Sequence, residues 1–323
     1  MSESDAVPPA EYGVMGWRAV VSAAPRHEPS RVLTTPHNAA RVLAPAIDLG
    51  EIHLRAAERQ LVDYVRILDR GWMQSIAWPI VVEGPISDAY WPATERRASL
   101  TLHRLCCLLS LAWNEPWQVR ESPRDSPHAG QALPDDASPP PNWGHSLLDE
   151  PQHGLRDEEP LPGWVQPIWS YLDQSSRAQE VSAALSLWHQ GILLTPEHPS
   201  FALVAFVASI EQASRVMSEL SHLPSEPKGG NRFWFAVGLV AAADQLSELK
   251  KMDVYGMRSS IAHGGKIHGL ETAFGSMVLP AWASHDKSDP ISTFVHGTVP
   301  SLARLSRDLL LRLCISLTTG LQV

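Results

Sequence analysis

The sequence has few cysteines and no long apolar run, and each absence excludes a class of protein. Its 323 residues include three cysteines, too few for a disulfide-stabilised secreted fold, and Cys106 and Cys107 are neighbours. The longest strongly apolar run, near residues 201–210, is about half of the ~20 residues that a membrane-spanning helix needs. No basic region followed by an apolar stretch opens the chain, so no secretory signal is visible. We therefore expect a cytoplasmic protein that does not insert into a membrane.

Basic residues are fewer than acidic ones, and their distribution along the chain determines whether a nucleic-acid partner is excluded. Lysine and arginine number 26 against 35 acidic residues, a formal net charge of -9. Residues 121–160 alone carry 2 basic and 9 acidic side chains, a net charge of -7, whereas residues 161–323 carry 12 basic and 13 acidic ones. Because local charge governs the attraction of a charged ligand, the overall excess of acid does not exclude nucleic acid as a partner.

The familiar nucleotide-hydrolase, dinucleotide and serine-hydrolase motifs are missing. The chain has no G-x-x-x-x-G-K-[ST] loop, no G-x-G-x-x-G fingerprint and no G-x-S-x-G elbow. His263, His268, His285 and His296 match no zinc-binding spacing and have no cysteine near them. The sequence therefore predicts neither a metal site nor a cofactor, and we interpret Cys106 and Cys107 as core residues of an apolar helix.

Composition divides the chain into three parts. Residues 121–162 are acidic and rich in proline, which predicts a disordered or loosely ordered linker. The alternative is a surface loop inserted into a single domain. The linker would separate an N-terminal domain of unknown role, residues 1–120, from a C-terminal helical bundle, residues 163–323.

Apolar periodicity predicts a mainly α protein, with a mostly helical N-terminal region and an up-and-down helical bundle at the C-terminus. In the N-terminal region we expect helices over 51–72, where Leu54, Leu61, Val65 and Leu68 recur at helical spacing, and over 96–113. Residues 77–92 read as a short strand or irregular loop, and residues 32–50 as a loop with one helical turn. Further helices are predicted within 161–194 and over 200–220, 232–251 and 301–319.

One short segment carries the chemical information. Residues 255–265 read YGMRSSIAHGG, so that Arg258 and His263 are five positions apart and two glycines follow. On a regular helix such positions point about 140° from each other, so they converge only if the helix loosens near His263. A histidine exchanges protons near neutral pH, and an arginine binds phosphate oxygens through its planar fork. Together they suit removal of a ribose 2′-hydroxyl proton and stabilisation of the adjacent phosphate, which cleaves RNA without a metal.

This segment resembles the arginine-x4–6-histidine motif of the HEPN superfamily (higher eukaryotes and prokaryotes nucleotide-binding). RSSIAHGG is most similar to the variant in ApeA-like HEPN domains of bacterial defence proteins. Upstream, FVASIEQASRV is similar to the helix that bears an acidic residue in that variant, here Glu211. The resemblance covers residues 196–319 and leaves the first 160 residues without a counterpart.

The resemblance implies a helical bundle that dimerises, a composite cleft formed by two motifs, and metal-independent RNA cleavage. Arg258 and His263 would be the catalytic pair, Glu211 a supporting acidic partner, and Tyr255 a packing or substrate-lining residue. The expected function is an antiviral endoribonuclease in phage defence or a toxin-like stress response. The N-terminal region would sense a trigger or restrain the enzyme, which makes it a possible site for a protein partner.

One departure keeps other interpretations open. Strongly ribonucleolytic members have asparagine, aspartate or histidine directly after the arginine, where this chain has Ser259. Serine still hydrogen-bonds a phosphate, but the difference favours a second interpretation: a non-catalytic HEPN module that dimerises and binds RNA or a protein. A third interpretation is a purely structural helical protein. For Glu211 the alternative is an ordinary helix ion pair with Arg215, four residues on.

Overall fold

The N-terminal half of the chain is built around a five-stranded antiparallel sheet. The structure is a computed structural model that describes residues 16–23, 41–43, 46–57, 61–67, 71–77, 79–86, 91–126, 157–195, 198–220, 230–268 and 290–319. The strands are β1 (Gly16–Ala23), β2 (Arg41–Leu43), β3 (Ile47–Leu49), β4 (Ile52–Ala56), β5 (Leu61–Ile67), β6 (Gly71–Ala77), β7 (Ile80–Pro85), β8 (Trp117–Ser126) and β9 (Asp157–Glu159). The sheet order is β3-β4-β7-β1-β8, while β5 pairs with β6 and β2 with β9.

Alternating side chains explain why β4 belongs to this sheet. Ile52 and Leu54 are buried, whereas His53 and Arg55, which alternate with them, are partly exposed. This period of two is that of a strand with one face on the core. Arg55 reaches across the sheet to Glu83 on β7, with 3.3 Å between Nη2 and Oε1.

The remaining described elements are mostly helices. They are α1 (Trp91–Trp113), α2 (Val165–Gln174), α3 (Ala178–Leu194), α4 (Pro199–Leu220), α5 (Gly230–Val240), α6 (Ala243–Lys251), α7 (Val254–Gly264), α8 (Pro290–Thr293) and α9 (Val299–Thr319). A π-helical turn, Phe294–Thr298, joins α8 to α9. Helix α4 lies at the centre, because α3, α5, α7 and α9 all pack against it.

Helix α1 connects the sheet to the helices. It packs on β8 and β1 on one side and on α3 on the other. Arg307 of α9 donates from Nη2 to the carbonyl of Leu111 near the end of α1, at 3.0 Å. Buried apolar residues of the sheet, α1 and the C-terminal helices belong to one hydrophobic cluster. The described parts of the two halves therefore share a core.

The prediction of a mainly α protein with a mostly helical N-terminal region is wrong. Of the described residues before position 121, only α1 is a long helix, and the sheet fills the rest of that core. The predicted helix over 51–72 is instead β4, β5 and the start of β6. Leu54, Leu61 and Val65 satisfy a helical spacing, but short apolar runs fit both periods and β-branched residues favour strands. Leu68 lies outside the described residues.

Other predicted boundaries also change. Residues 16–23 were not assigned a strand, and residues 41–43 and 47–49 form β2 and β3 where a loop with one helical turn was expected. The expected strand or loop over 77–92 contains β7. The predicted linker, residues 121–162, begins inside β8 and ends beyond β9. Its central residues, 127–156, lie outside the described part of the chain.

The helices expected in the C-terminal half are confirmed as local elements. The segments 161–194, 200–220 and 301–319 correspond to α2 with α3, to α4 and to α9. The helix expected over 232–251 is two helices, α5 and α6, that meet at Ala241 and Ala242. Leu203, Phe206, Val207, Ile210, Ser214 and Met217, the expected inward face of α4, are all buried.

Helix α4 is also long and apolar enough to cross a membrane when judged by length and composition alone. However, 67% of its most apolar window is buried inside the fold. The buried core helix of a globular fold can be equally long and apolar, so the finding is weak evidence for a membrane span.

Two glycine-to-alanine variants test the packing around α4. A Cβ at Gly191 on α3 would overlap the ring of Phe206, whereas nothing lies within 4 Å of the Cβ position at Gly238 on α5. Gly191→Ala should therefore destabilise the protein by about 1–2 kcal/mol, because overpacking outweighs the gain in helix propensity. Gly238→Ala should stabilise it by about 0.5–1 kcal/mol. Urea unfolding measures both, and equal effects would contradict the close approach of α3 and α4.

Candidate functional site

Helix α7 has defined signals at both ends. Asp253 precedes it in the left-handed conformation (φ 50°), and its side chain accepts a hydrogen bond from the Gly256 N–H at 3.2 Å. The helix ends before Gly265, which takes φ 63° and donates to the Ile261 carbonyl at 3.2 Å. The double glycine thus terminates the helix as its sequence suggests.

The buried side of α7 faces α4, and a polar cluster lies where the two helices meet. Val254 and Ile261 are buried, while Tyr255 and Arg258, three residues apart on neighbouring turns, are partly buried. Both reach Glu211 on α4: Tyr255 donates from its hydroxyl to Oε1 at 3.0 Å, and Arg258 Nη2 lies 3.4 Å from Oε2. Each carboxylate oxygen thus has a partner on α7. We call these three residues the α4–α7 polar cluster.

The side chains of the α4–α7 polar cluster are partly buried. The side chains of Arg258 and Glu211 are 26% and 22% exposed, so their ion pair is better shielded than most surface pairs. Burial raises the pKa of Tyr255, and the hydrogen bond and negative charge of Glu211 raise it further, while Arg258 opposes them. The phenol therefore remains a hydrogen-bond donor well into the alkaline range. Its ring also packs on Phe233 of α5, 5.6 Å between centroids.

The contact of Glu211 with Arg258 replaces the helix ion pair considered as its alternative. Arg215 instead faces Glu180 on α3, with 3.9 Å between Nε and Oε1. Glu211 is the acidic residue that the resemblance assigns as a supporting partner of the arginine. Its contact with Arg258, 47 positions away, was expected on that basis.

His263 occupies a different environment from Arg258. It is exposed in the last turn of α7, which remains helical through Gly264. Because the helix does not loosen there, the two side chains project about 140° apart around its axis. No hydrogen bond joins His263 to Arg258, Glu211 or Tyr255 in the described part of the chain. Ser259, beside Arg258, is partly buried.

His268 anchors the segment that follows α7, a role that the sequence did not reveal. Its Nε2 lies 3.2 Å from Ser260 Oγ, and its backbone N–H donates to Ser200 Oγ at the start of α4 at 3.0 Å. Its ring also faces Phe294, 5.9 Å between centroids. Burial lowers the pKa of His268, and Lys266 lowers it further. These contacts hold the chain after the glycine turn against α4.

The segment that contains α7 is rich in basic residues. Residues 250–266 contain Lys250, Lys251, Arg258 and Lys266 against the single acidic Asp253. All three lysines are exposed. Such a local excess of positive charge suits an anionic ligand despite the acidity of the whole chain. Among the described residues, the only candidate metal-binding group of three or more side chains lies elsewhere, at His103, Cys107 and His189.

No protein-family model matches the chain, and searches of curated proteins and of solved structures found no match. The HEPN resemblance therefore depends on the residues of α4 and α7 alone.

Removal of the Glu211 carboxylate should destabilise the fold. Glu211→Ala leaves the Arg258 guanidinium and the Tyr255 hydroxyl without their shared acceptor, at a cost of about 1–3 kcal/mol. Glu219→Ala on the same helix is the control: its pair with Arg177 is 36% and 43% exposed, so we expect less than about 0.5 kcal/mol. Urea unfolding of both variants measures the difference. Similar losses in the two variants would show that the polar cluster contributes nothing beyond a surface pair.

Proposed function

We propose that this protein is a cytoplasmic, metal-independent RNA endonuclease of the HEPN type, acting in phage defence or a toxin-like stress response. The observation that carries the proposal is the α4–α7 polar cluster. It holds an arginine at the surface of the same helix that ends in an exposed histidine. The Arg–x4–His segment and its acidic partner on the preceding long helix thus occur together, as the resemblance implies.

Arg258 retains capacity to bind a phosphate. A guanidinium has five N–H groups, and among the described contacts only Nη2 makes a hydrogen bond, so N–H groups of the terminal nitrogens remain available to a phosphate. The anchoring by Glu211 fixes the orientation of the group in advance, which lowers the entropy lost when a phosphate binds. The surrounding lysines would draw RNA toward α7.

His263 would supply the proton transfers. In the proposed reaction its neutral ring accepts the ribose 2′-hydroxyl proton, and the 2′-oxygen attacks the adjacent phosphorus. The bond from phosphorus to the 5′-oxygen breaks, and His263, now protonated, gives that proton to the leaving oxygen. The products are a 2′,3′-cyclic phosphate and a 5′-hydroxyl. Arg258 would stabilise the negative charge that develops on the phosphoryl oxygens.

The directions of Arg258 and His263 on α7 imply that a complete site needs two copies of the chain. Arg258 and His263 of one chain point in different directions, so a single copy does not aim both at one phosphate. A homodimer that places α7 of one copy beside α7 of the other would supply Arg258 from one chain and His263 from its partner. We therefore propose a homodimeric enzyme with composite sites, in which the N-terminal half provides the sensing or restraining surface for a protein partner.

A second function, a non-catalytic module that binds RNA or a protein as a dimer, is favoured by two specific observations. Arg258 is already neutralised by Glu211, and Ser259 stands where strongly ribonucleolytic members of the resembled family have asparagine, aspartate or histidine. In addition, an exposed histidine in the last turn of a helix also stabilises that helix through its dipole, with no catalytic role.

Substitution of the catalytic pair distinguishes these functions. Arg258→Ala and His263→Ala should each reduce RNA cleavage by about 10²–10⁴-fold, because each removes a group that acts in the transition state. Cleavage by the wild-type protein should persist in EDTA and leave 2′,3′-cyclic phosphate ends. Circular dichroism checks that the variants remain folded.

Two exposed residues outside α7 provide matched controls. His198→Ala and Arg304→Ala remove the same side-chain types from the start of α4 and from α9, and we expect wild-type cleavage from both. RNA that is shifted in a gel but never cut would support the binding module. Cleavage that survives both α7 substitutions, or that requires a divalent metal, would contradict the proposed mechanism.

A further inference from the structure

A cluster of two histidines and a cysteine lies between α1 and α3, away from the elements that carry the proposed RNA site. One ring nitrogen each from His103 and His189 and the Sγ of Cys107 lie within 4.8 Å of one another. His103 and Cys107 are four residues apart on α1, so both project from one face of that helix. His189 faces them from α3. The sequence alone predicts core packing for Cys107 and gives no role to these two histidines.

The separation within the cluster suits a tetrahedral metal ion. His103 Nε2 and Cys107 Sγ are 3.7 Å apart. Zinc bonds of about 2.1 Å to nitrogen and 2.3 Å to sulfur place two tetrahedral ligand atoms roughly 3.6 Å apart. This pair is therefore already at the spacing of two zinc ligands, and the ligand atom of His189 lies within 4.8 Å of both.

The hydrogen bonding of His189 leaves one ring nitrogen free. Nε2 lies 2.6 Å from the carbonyl oxygen of Trp117, which only accepts hydrogen bonds, so Nε2 carries the proton. Nδ1 then holds the lone pair, and it is buried with no hydrogen-bond partner in the structure. A metal-binding histidine has this arrangement, with one nitrogen donating to a backbone carbonyl and the other binding the ion. An unpaired buried acceptor is otherwise costly.

The surroundings suit a structural site with a route for the ion. Cys107 and His189 are 2% and 3% exposed, whereas His103 is partly exposed. Ser186 Oγ lies 2.8 Å from His103 Nε2, a hydrogen bond that Nε2 would give up on binding the ion, and a water molecule would take the fourth position.

We propose that His103, Cys107 and His189 form a zinc site that fastens α1, and with it the N-terminal sheet, to α3 of the helical half. Thiolate and imidazole ligands together are the set that Zn²⁺ prefers in proteins. Binding converts the Cys107 thiol to a zinc thiolate and releases its proton to solvent. The role is structural and independent of the RNA chemistry, since no ligand comes from α7.

The test uses the full chain dialysed first against chelator and then against buffered Zn²⁺. Elemental analysis should find one zinc per chain, and the thermal midpoint should rise on zinc addition. Cobalt substituted for zinc should give a thiolate-to-cobalt charge-transfer band, because only a cysteine ligand produces one. Cys107→Ser should remove this band and weaken zinc binding by at least ~10-fold.

Cys106→Ser is the matched control, because Cys106 is the neighbouring buried cysteine and lies outside the cluster. It should retain one zinc and the cobalt band. His103→Gln, at a partly exposed position, repeats the test if Cys107→Ser does not fold, and it should also lose zinc. The proposal is overturned if the wild-type chain holds no zinc after dialysis. A cobalt band that survives in Cys107→Ser, or that disappears equally in Cys106→Ser, overturns it as well.

Discussion

The burial of helix α4 is the constraint on which the rest of the structure depends. Fourteen of its 22 residues are buried, and four helices pack around it. A helix enclosed in this way can carry a carboxylate at its edge only where a neighbour supplies donors, since an unpaired charge there would be costly. Tyr255 and Arg258 supply them, so Glu211 determines which face of α7 turns inward. This orientation of α7 keeps Arg258 beside α4 and leaves His263 exposed at the C-terminal end of α7.

The helical parts of the fold were predictable because their signal is long and regular. Helices α1, α4 and α9 each exceed twenty residues, and over that length an apolar stripe cannot be mistaken for a strand. The sheet was missed because its strands are short and its pairing is non-local: β1 lies between β7 and β8, about 60 and 100 positions further along the chain. Strand pairing at such separations leaves no mark on local periodicity. The alternation of Ile52 and Leu54 in β4 is too short to outweigh the helical spacing of Leu54, Leu61 and Val65 in the sequence.

The candidate site was predictable where its residues are close in sequence and not where they are far apart. Arg258 and His263 are close in sequence, and the glycine turn after them has a local signature that the structure reproduces. The contact of Glu211 with Arg258 depended on the family resemblance, because nothing local links residues 47 positions apart. The cluster of His103, Cys107 and His189 joins two helices across 82 residues, and only the spacing of His103 and Cys107 on α1 hinted at it. Both polar clusters lie where helices meet. The α4–α7 polar cluster borders solvent, which suits a reactive site. Cys107 and His189 are buried, which suits a structural site.

The central claim is that α7 acts through Arg258 of one copy and His263 of another, and a mixed dimer tests it most directly. The Arg258→Ala and His263→Ala chains, co-expressed with different affinity tags and purified through both, form a dimer that carries one intact pair and one doubly substituted pair. Its rate of RNA cleavage should be about half that of the wild type, since one of two symmetry-related sites is complete, while either variant alone is inactive. A doubly tagged dimer as inactive as the single variants would contradict the account.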